Sequence, residues 1–254
     1  MHSQNPTKDE QKVVSGVIFP VLGLEGVGKS NFINKAAGEA VADVSDELEH
    51  RDTTIRAFFL RNPATEDPDD PKSTLIVLVD TPGLDDFYAY TDLTWLKNLL
   101  DWITTHCSTD AKFGGILYLH SIDQDKCSKR SCPVAEFPNC RSVEYLRLAT
   151  TKWDRQSPEQ DFERREEELK STVWKGSLEK GAKATRFLNT QESAWAILDE
   201  LLETGSLPIA VLQQDLSNFL DSWSKKVATA KKAKGPGGGR VKRFFGRVGS
   251  CFGS

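Results

Sequence analysis

Short apolar runs alternate with amphipathic segments along most of the chain. Six runs have the length and the β-branched or aromatic composition of strands, and they lie at 13–22, 53–61, 74–80, 115–120, 143–150 and 183–188. The run at 74–80 is apolar almost throughout, which is typical of a strand that is buried on both faces. We therefore expect a largely parallel sheet that is covered by helices on both sides.

The segments between these runs carry apolar residues at helical spacing. They predict helices at 31–37, at 91–105, from Ser157, from a cap at Asn189 and Glu192 to about Leu202, and after Pro208. Ser157 and Gln160 fit a capping box, with Pro158 at the first helical position. The last helix has one apolar stripe, made of Ile209, Leu212, Leu216, Phe219, Leu220 and Trp223. Strands that alternate with helices predict an α/β fold with three layers and a mostly parallel central sheet.

Charge is distributed unevenly over the 254 residues, although the formal net charge is only −4. From residue 225 to the end there are nine Lys and Arg and no Asp or Glu, so the rest of the chain holds 24 basic and 37 acidic residues. We divide the chain into a disordered N-terminus at 1–12, one domain at 13–223 and a basic, glycine-rich tail at 224–254. A basic tail on an acidic body predicts that the tail meets an anionic surface.

The sequence predicts a cytoplasmic protein. Its apolar runs are shorter than the ~18 residues that a membrane span needs, and the run at 13–24 lacks the basic residues that open a signal peptide. Five cysteines, an odd number, fit no disulfide framework, which favours a reducing compartment. Cys127, Cys132 and Cys140 follow His106 and Cys107 but match no common zinc spacing, so thiols are favoured over a metal site.

The segment at 23–30, Gly-Leu-Glu-Gly-Val-Gly-Lys-Ser, fits the phosphate-binding pattern G-x-x-x-x-G-K-S. It stands between the first predicted strand and the first predicted helix, which is the setting that this pattern requires. Lys29 can reach the outer phosphates, and the Ser30 hydroxyl can bind Mg²⁺. The phosphates would lie at a helix N-terminus, where backbone N–H groups favour anions. The residues predicted to line this part of the nucleotide site are Gly23, Glu25, Gly26, Val27, Gly28, Lys29, Ser30 and Asn31.

Asp80, Thr81, Pro82 and Gly83 end the buried run at 74–80. In open α/β sheets, ligands bind at the carboxyl ends of the strands. Asp80 is expected to hold Mg²⁺ through its water shell. The Gly83 N–H can bond a γ-phosphate and release it after hydrolysis, which predicts a conformational switch.

Thr151, Lys152, Trp153 and Asp154 follow the predicted strand at 143–150. A carboxylate at Asp154 can accept from both N1–H and N2–H of guanine, a pair of donors that adenine does not offer. Because an unsatisfied buried acceptor costs free energy, this carboxylate predicts guanine over adenine. The Lys152 side chain can lie across the plane of the base.

These three motifs, in this order and spacing, are similar to those of the septin-like, immune-associated nucleotide-binding (GIMAP-type) GTPases and their fungal relatives. The resemblance rests on 80–86, 116–120, 150–154 and parts of 186–195, and it spans about 13–205. It implies a P-loop GTPase fold, binding of GTP and GDP with Mg²⁺, slow hydrolysis, and a homodimer or oligomer formed through the nucleotide face. We expect no specific nucleic-acid partner.

The resemblance also implies roles for single residues. Thr53 or Thr54 matches the switch threonine that senses Mg²⁺ and the γ-phosphate, and the irregular loop before them does not decide between the two. Asn189 matches the last base-contacting loop, beside Thr151, Lys152 and Asp154. The residues expected to act in hydrolysis are Lys29, Thr54 and Gly83, and those expected at Mg²⁺ are Ser30, Thr54 and Asp80.

Three features depart from the family's pattern. Glu25 lies in the phosphate loop, where its carboxylate is expected to repel a γ-phosphate. Leu84 stands where many GTPases place a glutamine that orients water. The segment 121–143 lacks the amphipathic helix expected between two strands. We predict a weak GTPase whose turnover is slow or needs a partner. The alternatives are a GTP- and GDP-binding interaction module that does not hydrolyse GTP, and a membrane scaffold.

The tail carries a candidate lipidation site at Cys251, the fourth residue from the end. With Ser254 last, it has the outline of a prenylation box, although Gly253 stands where an aliphatic residue is preferred. One lipid group and a basic patch together can anchor a protein stably. Three alternatives stay open: lipidation at Cys251, association of 225–254 with an anionic membrane without a lipid group, and a solvated tail.

Overall fold

The computed structural model describes residues 14–43, 54–62, 74–83, 94–124, 141–155 and 161–232. Its strands are β1 (Val17–Gly23), β2 (Arg56–Leu60), β3 (Ile76–Asp80), β4 (Lys112–Phe113), β5 (Ile116–Ser121), β6 (Leu146–Thr151), β7 (Lys183–Arg186) and β8 (Leu207–Pro208). Its α-helices are α1 (Lys29–Ala37), α2 (Thr94–His106), α3 (Phe162–Ser171), α4 (Lys175–Leu178), α5 (Gln191–Thr204) and α6 (Ile209–Lys232). Short 3₁₀ helices lie at Arg141–Tyr145 and Trp153–Arg155.

The sheet has the order β2-β3-β1-β5-β6-β7, in which β2 is antiparallel to β3 and the other neighbours are parallel. Every residue of β1, β5 and β6 is buried. Strands that are buried on both faces need helices on both faces, and α1 packs against α5 while α2 packs against α6. Trp174, Phe19 and Phe32 are among the largest fully buried side chains of the core. The predicted α/β architecture with three layers is confirmed.

β4 and β5 pair with the same edge of β1, and Gly114 lies in the short interruption between these two strands. β4 pairs with the first two residues of β1, and β5 pairs with its last three. Pro20, which has no N–H for a ladder, lies between these two pairings. A Cβ at Gly114 would lie 2.3 Å from the Phe19 ring, so the close approach of the chain to Phe19 at this position requires glycine. This interruption lets β5 pair with the last residues of β1, next to the phosphate loop.

The start of α3 and the cap of α5 differ from the predicted ones. α3 begins at Phe162, and the side chain of its N-cap, Asp161, accepts from a backbone N–H at 2.9 Å. α5 is capped by Thr190, so the predicted cap by Asn189 and Glu192 is wrong. An N-cap needs an extended backbone, which Thr190 has at φ −122°, whereas Asn189 is left-handed at φ 62°.

Several predictions fall outside the described residues. They concern the N-terminus at 1–12, Thr53, Leu84, the capping box of Ser157, Pro158 and Gln160, the cysteines Cys127, Cys132 and Cys140, and the tail with Cys251. α6 runs to Lys232, past the domain boundary predicted at 223. Within the described ranges, no helix combines the length and apolar content needed to cross a membrane. In the same ranges, no group of three or more His, Cys, Asp or Glu side chains is placed to hold a metal ion.

Candidate nucleotide-binding site

The phosphate loop joins β1 to α1. β1 ends at Gly23 and α1 begins at Lys29, with Gly28 as its N-cap at φ 101°. Gly26 also has a left-handed backbone, at φ 71°. Side chains disfavour this conformation, which explains glycine at both positions. Gly28 gives α1 no side-chain cap, so the N–H groups of its first turn are suited to an anion at the loop.

The Lys29 side chain lies along the loop. The residue is 8% exposed, and its Nζ donates to the carbonyls of Gly23 at 3.2 Å and Leu24 at 3.0 Å. Burial lowers the pKa of the Lys29 ammonium, and the nearby Asp80 and Glu25 carboxylates oppose this shift. An ammonium held against the loop backbone is well placed to neutralise phosphate oxygens.

Ser30 and Asp80 meet at the end of the phosphate loop. The Ser30 hydroxyl donates to Asp80 Oδ2 at 2.9 Å, because β3 lies beside β1 with Val21 opposite Asp80. A hydroxyl and a carboxylate oxygen are ligands that Mg²⁺ prefers, so this pair fits a Mg²⁺ site. Thr54 is exposed and lies shortly before β2, in which Arg56 pairs with Asp80. The sheet therefore brings the three predicted Mg²⁺ residues to one edge.

Gly83 lies against the phosphate loop. The chain after β3 is held by Thr81, whose hydroxyl donates to the Val21 carbonyl at 2.7 Å. A Cβ on Gly83 would lie 2.8 Å from Glu25 Cα and 2.9 Å from Glu25 Cβ, so the two backbones touch. Glu25 is exposed. The acidic residue of the phosphate loop is thus next to the glycine that is expected to bond a γ-phosphate.

Thr151, Lys152 and Asp154 lie at and beyond the end of β6. The Thr151 hydroxyl donates to the Val27 carbonyl at 2.7 Å, which ties the predicted base motif to the phosphate loop. Lys152 has a left-handed backbone at φ 62°, and its Nζ lies 3.9 Å from Asp123 Oδ2. Asp154 is exposed in the 3₁₀ turn that follows. The motif is therefore anchored on its phosphate side and presents its carboxylate at the surface.

Asn189 connects the base motif to α1. Its Nδ2 donates to Asp154 Oδ2 at 3.1 Å, and its Oδ1 accepts from Asn31 Nδ2 at 2.8 Å. The left-handed backbone of Asn189 turns the chain sharply between β7 and α5. The predicted base-site residues Asp154 and Asn189 are thus in direct contact, and Asn31 joins them from the phosphate side.

Sequence reasoning missed the side chains that support the base motif. Glu166 is 2% exposed on α3 and accepts from Arg186, whose guanidinium lies 4.0 Å from the centroid of the Trp153 ring. Many charges lie along α3, so no pattern marks which of its carboxylates is buried. An available signal was Trp153, a large aromatic residue inside an otherwise polar motif.

Comparison with known proteins bears on the fold. No family model matches the sequence, and no curated protein matches it. The chain is similar to a dimerisation-deficient variant of Toc33 from Arabidopsis thaliana, at 18% identity over 80% of this chain and 84% of that one, with a TM-score of 0.50. It is also similar to Toc33 in complex with Mg²⁺ and GMPPNP, at 19% identity over 80% and 85%, with a TM-score of 0.50. The chain therefore has the P-loop GTPase fold.

Proposed function

We propose that the chain is a guanine-nucleotide-binding switch that hydrolyses GTP slowly with Mg²⁺. The supporting observation is that three parts meet at one edge of the sheet. The phosphate loop lies beside the Ser30–Asp80 pair, and Thr151 and Asn189 join that loop and its helix to Asp154. This arrangement suits a ligand with phosphates at one end and guanine at the other.

Each group has a distinct task in this proposal. The N-terminus of α1 and Lys29 bind the β- and γ-phosphates, and Asp154 accepts from N1–H and N2–H of guanine. Ser30 and Asp80 would hold Mg²⁺, which neutralises charge on the phosphates when it is bound. Thr54 and Gly83 respond to the γ-phosphate and move when it leaves.

A titration with labelled GDP, GTP and ATP in the presence of Mg²⁺ tests this function. We expect GDP and GTP to bind and ATP to bind far more weakly. Lys29→Ala should abolish binding, and Asp154→Ala should remove the preference for guanine. Equal affinity for ATP, or no binding of GTP, would show that the proposed function is wrong.

A nucleotide-binding module that does not hydrolyse GTP is the second candidate. The contact between Glu25 and Gly83 favours it, because a carboxylate there opposes a γ-phosphate.

Toc33 has a dimerisation-deficient variant, and we propose by likeness that this chain associates through its nucleotide face. Single-turnover release of phosphate, measured as protein concentration rises, separates the two candidates. A rate that increases with concentration supports a GTPase activated by association, and no release supports the module.

The finer assignments belong to the same proposal. The order of the three motifs supports a septin-like, GIMAP-type GTPase. The five cysteines, which fit no disulfide framework, support a cytoplasmic protein. The basic composition of 225–254 supports peripheral binding to anionic membranes, with Cys251 as the lipidation candidate. Flotation of the whole chain on anionic liposomes, compared with a chain that ends at Lys234, tests the role of the tail. Equal flotation of the two chains would show that the tail is not an anchor.

A further inference from the structure

We propose that Arg186, held by Glu166 and stacked on Trp153, positions Asp154 and thereby sets the selectivity for guanine. This inference rests on the proposed function and adds three side chains to it. Arg186 is here a positioning residue, because it acts on the base through its neighbours. The ligand class that these residues affect is a purine nucleotide with donors at N1 and N2.

Trp153 stands between Lys152 and Asp154, and its indole is held on several sides. Its Nε1 donates to Thr150 Oγ1 at 2.9 Å. The Phe162 ring packs against it in a T-shaped arrangement, with 5.9 Å between the ring centroids. The Arg186 guanidinium lies over the indole at 4.0 Å from the ring centroid, a distance at which a cation and an aromatic face attract each other. A fixed indole fixes the backbone from which the Asp154 side chain projects.

Arg186 is itself held by a buried carboxylate. Its Nη2 donates to Glu166 Oε2 at 2.7 Å, and its Nε lies 3.0 Å from Oε1. Lys170 Nζ donates to the same Oε2 at 3.0 Å. Burial raises the pKa of the Glu166 carboxyl, but the hydrogen bonds from Arg186 and Lys170 bring it below its ordinary value. The forked guanidinium binds this carboxylate through Nε and Nη2, and this pairing holds its Cζ over the ring of Trp153.

Arg186 lies where two segments that hold Asp154 come together. β7 pairs with β6, and Thr150 is the register partner of Arg186. Three residues after Arg186, Asn189 donates to the Asp154 carboxylate. Arg186 therefore supports Asp154 in two ways. It contacts Trp153, the residue just before Asp154, and it ends β7, the strand that leads to Asn189, which donates to the Asp154 carboxylate. Two hydrogen bonds from guanine to one carboxylate are sensitive to small displacements of that carboxylate. Loosening this support should therefore weaken recognition of the guanine edge more than binding of the phosphates.

The test is the affinity of the full chain for GDP and IDP, measured by isothermal titration with Mg²⁺. IDP has the same phosphates as GDP but lacks the 2-amino group, so the ratio of the two affinities reports how well Asp154 is aligned. For Arg186→Met we expect GDP affinity to fall about tenfold and IDP affinity to fall less, so that the ratio decreases. Arg164→Met is the matched control, because Arg164 lies on α3, is exposed, and pairs with Asp161 at 3.8 Å. It should leave the ratio unchanged.

A double-mutant cycle shows whether Arg186 acts through Asp154. In an Asp154→Ala background, Arg186→Met should have almost no further effect on GDP affinity. Trp153→Phe keeps a ring under the guanidinium and should retain most of the ratio, whereas Trp153→Ala should lose it. If Arg186→Met does not fold, these two Trp153 variants decide the question. Melting temperatures measured for all variants separate loss of stability from loss of selectivity.

The outcomes distinguish the two proposals. If the unaltered chain binds neither GDP nor IDP, the proposed function is wrong. If it prefers GDP and Arg186→Met or Trp153→Ala lowers the melting temperature but keeps the ratio, the support is structural and this inference is overturned. Additive losses in the double-mutant cycle would also overturn it.

Discussion

The Glu25 carboxylate lies in the phosphate loop at the point where Gly83 touches it. Repulsion between this carboxylate and a γ-phosphate should weaken GTP relative to GDP. We predict that Glu25→Gln increases the ratio of GTP to GDP affinity about fivefold, since exposed charges interact by roughly 1 kcal/mol. The matched control is Glu39→Gln, an exposed acidic residue just beyond α1, which should leave the ratio unchanged. The effect of Glu25→Gln should shrink as salt is added, and a ratio that does not change would contradict the repulsion.

We predict that the burial of His120 makes the stability of the fold depend on pH. It is 2% exposed, and its ring meets Trp174 edge-on with 6.0 Å between centroids. Burial lowers the pKa of His120 from 6.5 to about 4, and the Asp123 carboxylate opposes the shift. As pH falls from 6.5 towards 4, the unfolded chain therefore binds a proton that the folded chain does not. Above this range His120 has no effect on the free energy of unfolding. Near pH 5 its protonation in the unfolded chain should lower the free energy of unfolding by about 2 kcal/mol.

His120→Phe tests this dependence. Among the described residues, His120 Nδ1 has no hydrogen-bond partner, so phenylalanine leaves no strong bond of that atom unmade. Urea unfolding near neutral pH and near pH 5 should show a smaller loss of stability for the variant than for the unaltered chain. Equal losses would show that carboxylates elsewhere cause the acid sensitivity.

At the scale of elements, two adjacent residues in the loop between β7 and α5 have different roles, one in helix stability and one in the candidate base site. Thr190 Oγ1 accepts from the Ser193 N–H at 3.1 Å and caps α5, whereas the Asn189 side chain bonds Asp154 and Asn31. Thr190→Ala should lower the free energy of unfolding by about 1 kcal/mol and leave GDP affinity nearly unchanged. Asn189→Gly, which tolerates the left-handed backbone, should lower GDP affinity about tenfold with little effect on stability.

Urea unfolding and GDP titration of both variants check this division. Each variant serves as the control for the other, because the two residues are adjacent in the chain. A loss of GDP affinity in Thr190→Ala equal to that in Asn189→Gly would show that the cap and the base site are not separate.

The long elements were predictable because their signals are local. Apolar runs marked β1, β3, β5 and β6, and helical spacing marked α2 and α5. The two-residue strands β4 and β8 carry no such signal, since they exist only because β4 pairs with both β1 and β8. The cap of α5 was misplaced by one residue, because composition alone does not tell a left-handed Asn189 from an extended Thr190.

At the scale of the whole molecule, the motifs of the candidate site were readable, but their connections were not. Asn31 bonds Asn189 across 158 positions, and Thr151 bonds Val27 across 124 positions. Strand order creates these contacts, and no spacing in the sequence encodes them. Arg147 is a further case, since its buried guanidinium donates to Thr204 Oγ1 at 2.7 Å near the end of α5. Long-range hydrogen bonds thus complete a site whose parts are local.

These connections predict that the proposed ligand stabilises the whole domain. GDP with Mg²⁺ would contact α1, β6 and the loop after β7 together, and it binds the folded chain only. At a ligand concentration 100 times the dissociation constant, the melting temperature should rise by about 5 to 10 °C. A chelator should reduce the rise, and Ser30→Ala should remove the part that depends on Mg²⁺ while retaining the part due to GDP. An equal rise with ADP would contradict the role of Asp154, and an unchanged Mg²⁺ dependence in Ser30→Ala would contradict the role of the Ser30–Asp80 pair.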